Sequence, residues 1–87
     1  MRAMDAGSLE LRDTQGRLRF FLDGRVVSGG STLELCFSGG WVVGRFEWSG
    51  DAAEAPRFHA SIELAAGGVV EHSLSLPDGA RLRWPVA

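Results

Sequence analysis

Two histidines and one cysteine are the residues of this 87-residue chain best suited to metal or nucleophilic chemistry, and their spacing speaks against both. His59 alternates with Arg57, Ser61 and Glu63, whereas His72 alternates with the apolar Val70 and Leu74. Successive side chains of a strand point to opposite faces, so His59, His72 and Cys36 do not converge as the three or four ligands of a metal site must. His72 reads instead as a partly buried core histidine. A Ser-His-acid arrangement can be written from His59 opposite Ser75, with Ser61, Ser73 and Glu63 nearby. It would lie on a flat, exposed sheet face with no water-excluding cleft and no oxyanion donors.

Glu34 with Arg45 and Glu10 with Arg19 read as cross-strand ion pairs worth about 0.2–1 kcal/mol each, not as acid and base. The pairs Gly29-Gly30, Gly39-Gly40 and Gly67-Gly68 precede no helix and no Lys-Ser/Thr, which makes them turns rather than phosphate loops. No catalytic residue, cofactor or metal ligand is expected.

The most suggestive set is aromatic and basic. Trp41, Phe21, Arg17, Arg19, Arg81 and Arg83 all take outward positions in the alternation. Exposed aromatics beside arginine mark binding surfaces for proteins and for single-stranded nucleic acid. Trp41 therefore either belongs to a surface patch or overhangs an open end of the core. The expectation is a non-enzymatic protein-interaction module that docks on an unidentified partner, or on itself, through Trp41 and Arg81/Arg83. The alternative is a nucleic-acid-binding small β-barrel. Eleven acidic against nine basic residues weigh against that alternative.

The elements that must position these residues are strands. Twelve glycines and three prolines punctuate the chain at turn-like intervals, and the apolar residues between them alternate with period two. Regular short strands with turn signals indicate a barrel or sandwich, here a small antiparallel β-barrel, SH3-like or partly open, of about three hairpins plus a C-terminal strand. The whole chain, 1–87, reads as one domain with residues 1–6 as a flexible tail. A formal charge of −2, with every basic residue an Arg, gives no general attraction to nucleic acid or anionic membrane. No apolar run reaches membrane-span length, the N-terminus has no signal-peptide pattern, and the single Cys36 can form no internal disulfide. A cytoplasmic location is expected.

Registers follow from pairing like faces. Across Asp13-Thr14-Gln15-Gly16, Arg12 would pair with Arg17, Leu11 with Leu18 and Leu9 with Phe20. A two-residue Gly39-Gly40 turn would set Phe37 against Val42, Leu33 against Phe46, and Gly44 opposite Leu35; a glycine there implies a bulge or a close backbone approach. A three-residue Ala66-Gly67-Gly68 loop joins Phe58–Leu64 to Val70–Leu76 with Ile62 inward. Arg25-Val26-Val27 reads as a bent continuation of the strand before it. After Pro77-Asp78-Gly79, Leu82 and Trp84 alternate with Arg81 and Arg83 in a last strand.

The run Gly39-Gly40-Trp41-Val42-Val43-Gly44-Arg45-Phe46-Glu47-Trp48 and the ending Leu76-Pro77-Asp78-Gly79-Ala80-Arg81-Leu82-Arg83-Trp84-Pro85 resemble the bacterial domain-of-unknown-function family DUF 5348. Gly40, Trp41 and Arg45 match its central G-x-W-x-x-x-R hairpin, and Gly79 and Arg83 its closing G-x-x-x-R strand. The resemblance spans roughly Gly7 to Pro85 and implies a small β-rich domain. The acidic loop Ser49 to Pro56 is longer than in the family's shorter members. No activity is implied.

Overall fold

A computed structural model describes residues 6–85, so the tail expected over 1–6 falls, Ala6 apart, outside the described residues. Among the described residues eight strands run in order: β1 (Glu10–Thr14), β2 (Arg17–Leu22), β3 (Arg25–Val27), β4 (Thr32–Phe37), β5 (Gly40–Glu47), β6 (Arg57–Glu63), β7 (Val69–Ser75) and β8 (Leu82–Arg83). They form two antiparallel sheets, β1-β2-β3 and β7-β6-β5-β4-β8. The all-β architecture is as expected, and neither sheet is closed. Among the described residues no helix is long and apolar enough to cross a membrane.

Turn chemistry sets the registers. Gln15, Asp23 and Ser38 have φ of 54°, 52° and 52°, and the glycines after them have φ of 80°, 77° and 80°. Two successive left-handed residues make a type I′ turn, whose twist matches that of the flanking strands. Asp23-Gly24 thus starts a separate strand: β3 folds back on β2, pairing Phe20 with Val27 and Leu22 with Arg25, where a continuation was expected.

Each of the three expected hairpin registers is displaced by two residues. Thr14 pairs with Arg17 and Leu11 with Phe20, because the loop is Gln15-Gly16 alone. Phe37 pairs with Gly40, Leu35 with Val42 and Leu33 with Gly44, because the turn is Ser38-Gly39. Ile62 pairs with Val70 and His59 with Ser73, which leaves five residues, Leu64 to Gly68, in the loop. A shift of two keeps every side chain on its own face, whereas a shift of one would invert all of them.

The core lies between the sheets. Leu22 and Val27 face Leu33, Leu35, Phe46, Phe58, Ala60, Leu82 and Trp84, with Phe20 and Trp48 packed alongside. Phe20 meets Phe46 and Trp48 edge-on, with ring centroids 5.8 Å and 4.6 Å apart, a geometry that the ring quadrupoles favour. The Trp84 indole N–H donates to the Leu22 carbonyl at 2.8 Å and ties the sheets together. Gly44 is buried because the Phe58 ring lies over it: a Cβ there would sit 2.5 Å from Phe58 Cε2 and 2.6 Å from the His59 carbonyl oxygen. The expected close approach is present, made by Phe58. Ile62 is not inward in effect. It is 44% exposed, since the three-stranded sheet does not extend over the far end of β6 and β7.

Candidate functional site

The six residues of the expected binding surface lie in two places. Trp41 and Arg83 are on the outer face of the five-stranded sheet, reached from β5 and β8 through β4: Cys36 pairs with Trp41, and Glu34 with Arg83. Arg81 shares that face by alternation, and its carbonyl accepts from the Cys36 N–H at 2.9 Å. Arg17, Arg19 and Phe21 are on β2, whose inward residues Phe20 and Leu22 turn them to the outer face of the other sheet. The single patch that the alternation allowed is therefore divided.

On the five-stranded sheet the geometry is specific. The Arg83 guanidinium carbon stands 4.1 Å from the Trp41 ring centroid, while Arg83 Nε donates to Glu34 Oε1 at 2.6 Å. Both partners of that ion pair are about a quarter exposed or less. Glu34 thus holds Arg83 over the indole, a cation–π contact worth about 0.5–1 kcal/mol at such a site. Trp41 differs from the other two tryptophans. Trp84 and Trp48 donate their indole N–H to the Leu22 and Glu54 carbonyls. Trp41 makes no side-chain hydrogen bond among the described residues and stands outside the core cluster. It is a partly exposed residue of the outer face that takes no place in the core cluster.

On the other sheet, Arg12 lies 4.6 Å from the Phe21 ring centroid and also pairs with Glu10. The expected Glu10–Arg19 pair is absent, because Glu10 stands opposite Phe21, and Arg19 opposite Arg12. The Glu34–Arg45 pair is absent too, since Glu34 stands opposite Val43.

The paper triad does not assemble. Ser73 and Ser75 accept hydrogen bonds from Arg57: Nη2 to Ser73 Oγ at 2.8 Å, Nε to Ser73 Oγ at 3.1 Å and Nη1 to Ser75 Oγ at 3.2 Å. His59 stands opposite Ser73, but among the described residues no hydrogen bond joins its ring to either hydroxyl, so no base is positioned to take their protons. His72 is exposed rather than partly buried, because β7 lies beyond the cover of the smaller sheet. No group of His, Cys, Asp or Glu suited to a metal ion occurs among the described residues.

A groove of about 420 Å³ opens at one end of the sandwich, between Leu11 and Phe20, the 52–56 loop, and the 76–80 connection. Its only carboxylates are Glu54 and Asp78, and Glu54 Oε1 already accepts from Ser49 Oγ at 2.6 Å. Ligand sites combine an apolar wall with convergent polar groups; here Glu54 is engaged by Ser49, which leaves Asp78 without a second free carboxylate beside it among the described residues. Sequence reasoning missed it because its lining comes from β1, β2 and two loops that only the stacking of the sheets brings together.

Compared with known proteins, the chain matches no family model, no curated protein and no solved structure.

Proposed function

We propose that the chain is a non-enzymatic protein-interaction module whose recognition face is the outer surface of β4, β5 and β8 around Trp41, Arg81 and Arg83. The observation that carries this reading is the outward Trp41 braced by Arg83 and Glu34. A large aromatic already fixed in place loses little conformational freedom on binding, which is why tryptophan and arginine dominate protein hot spots. Acidic Glu34 and Glu47 are interspersed on that face with Arg45 and Arg83, and Glu63 and Arg57 continue the mixture on β6. Mixed charge suits a protein surface better than a phosphate backbone.

Nucleic-acid binding has less support. Its candidate arginines are divided between two faces, and Arg83 is already neutralised by Glu34. The DUF 5348 resemblance, a partly open barrel as the description of the two sheets taken together, and a cytoplasmic setting belong to the same proposal.

The test compares immobilised wild-type and Trp41→Ala chains exposed to the same lysate, each checked to be fully folded at the temperature of the assay. A protein held by the first and lost from the second supports the reading. Identical retention by both overturns it.

A further inference from the structure

The two edges of the five-stranded sheet are finished differently. At β8 the edge is short and covered: Leu82 N–H donates to the Gly7 carbonyl at 2.8 Å, and Gly7 N–H returns to the Leu82 carbonyl at 2.9 Å. At the opposite edge β7 runs seven residues, Val69–Ser75, paired on one side only among the described residues. It has no proline, no lysine and no bulge in its pairing with β6, the devices that normally protect an edge. The ladder also fixes which backbone groups are free. Leu64 N–H bonds the Gly68 carbonyl at 3.0 Å, and Leu76 N–H bonds the Pro56 carbonyl at 2.8 Å. Even-numbered residues of this hairpin therefore direct their amides toward one another, and Val69, Glu71, Ser73 and Ser75 direct theirs outward.

We infer that β7 is a homodimer seam, pairing antiparallel with β7 of a second copy about a two-fold axis at His72 to make one ten-stranded sheet. Three observations select a second copy in this register. First, centring on His72 sets Val69 against Ser75 and Glu71 against Ser73, so all four outward residues bond across the seam. Centring on Glu71 would oppose that carboxylate to itself, and centring on Ser73 would bring Pro77, which has no N–H, into the ladder. Second, the charges are complementary. Arg57 rests its guanidinium on Ser73 Oγ, and the register puts Glu71 of the second copy directly across from Ser73, beside that guanidinium. Third, on the inner face the exposed Ile62 and Val70 continue into Leu74 and Phe58 of the second copy. The inner face of β7 is left open at Val70 and His72, so neither copy's smaller sheet obstructs the seam.

The register is tested by cross-linking in a Cys36→Ser background. Residues opposite each other in a non-hydrogen-bonded pair have Cα atoms about 4.5 Å apart, within disulfide range. His72→Cys should therefore yield a covalent dimer on mild oxidation. Ser75→Cys should not, because two copies of residue 75 lie about 20 Å apart along the seam at 3.4 Å per residue. In sedimentation the wild-type chain should rise with concentration from 9.4 kDa toward twice that mass. Glu71→Arg should weaken the dimer about tenfold, and Arg57→Glu in the same chain should restore it.

Ser73→Pro removes an outward amide together with the hydroxyl that accepts from Arg57, so it should give a folded monomer, whereas Ser73→Ala, which loses the same hydroxyl and keeps the amide, should still dimerise. Trp41→Ala should dimerise like the wild type, which separates failure of the seam from failure of the Trp41 face. A chain that stays at 9.4 kDa up to about 1 mM, too weak for any specific seam, would overturn the inference and leave the edge to a strand of another protein. Equal cross-linking at positions 72 and 75 would overturn it as well.

Discussion

Replacing Gly44 by alanine adds one methyl group where two neighbours cannot both withdraw. The new Cβ would lie 2.5 Å from Phe58 Cε2, 2.6 Å from Phe58 Cζ and 2.6 Å from the His59 carbonyl oxygen. Phe58 is fully buried, so its ring can retreat only by displacing Phe46 or Ala60. The His59 carbonyl belongs to the β5–β6 backbone, where Gly44 pairs with Ala60 and Arg45 with His59. Overpacking of a core costs about 1–3 kcal/mol, and a clash that also strains a ladder belongs at or above the upper end. A domain of this size has a total stability of about 4–13 kcal/mol, and each kcal/mol moves its melting temperature by about 4–8 °C. Gly44→Ala should therefore lower the melting temperature by about 12–24 °C. Gly40→Ala is the control. Its Cβ would meet nothing closer than the Phe37 carbonyl oxygen at 3.8 Å, so it should be neutral or stabilising by about 0.4–1 kcal/mol. Phe58→Leu combined with Gly44→Ala should recover part of the loss, since the ring is half of the clash. A Gly44→Ala chain that melts within 3 °C of the wild type, about 0.5 kcal/mol on that scale, would refute the close-approach argument.

Calorimetry on two further pairs separates surface from core. Trp41→Ala should cost about 1 kcal/mol, the indole's contact with Arg83, whereas Trp84→Ala should cost about 3–5 kcal/mol because Trp84 is 8% exposed and bonds Leu22. Leu35→Ala should cost about 2–5 kcal/mol, and Ile62→Ala, at 44% exposure, less than about 1 kcal/mol. Gly39→Ala places a side chain at φ 80° and should cost about 1 kcal/mol or more. In an isotope-labelled chain, that loss should appear first in β4 and β5 amide exchange.

The faces of the strands were legible in the sequence, while their partners along the strand were not. Leu33, Leu35, Phe46, Phe58, Leu82 and Trp84 fall inward as the alternation requires. That signal has period two, so any register wrong by two satisfies it equally well. The tie is broken by turn conformation, which depends on one residue. Gln15 and Ser38 adopt left-handed φ before a glycine, a conformation most favoured by Asn and Asp, so neither advertised its turn. Asp23-Gly24 did carry that signal, and following it would have placed β3. The Trp41 site was half legible for the same reason. Both its aromatic and its arginine read as outward, yet their contact depends on β8 lying beside β4, a pairing between residues 49 apart that no local pattern encodes. The separation of Arg17, Arg19 and Phe21 from Trp41 depends equally on how many sheets there are.

The unequal sizes of the sheets account for where this molecule is left unfinished. Three strands cannot cover five, so the core is complete over β4, β5, β8 and the near end of β6, where Phe46, Phe58 and Leu82 are fully buried. Beyond it the β6–β7 hairpin carries Ile62, Leu64, Val69 and Val70 into solvent. A fold held only by burial gains nothing from a hairpin tip of that composition, and exposed apolar strand residues are an aggregation hazard. Leaving them uncovered is tolerable where pairing is confined to one partner in one register. The mixed row of Glu71, His72 and Ser73 provides that restriction on β7, since most alternative alignments oppose like charges or bring in Pro77. The Trp41 face is exposed differently. Its aromatic is braced by an ion pair rather than by unfilled backbone groups, so the contact proposed for it would need no strand to be added. The two proposals therefore differ in kind, a lasting self-association at β7 and an exchangeable contact at Trp41, and they are compatible because the two surfaces lie on different strands.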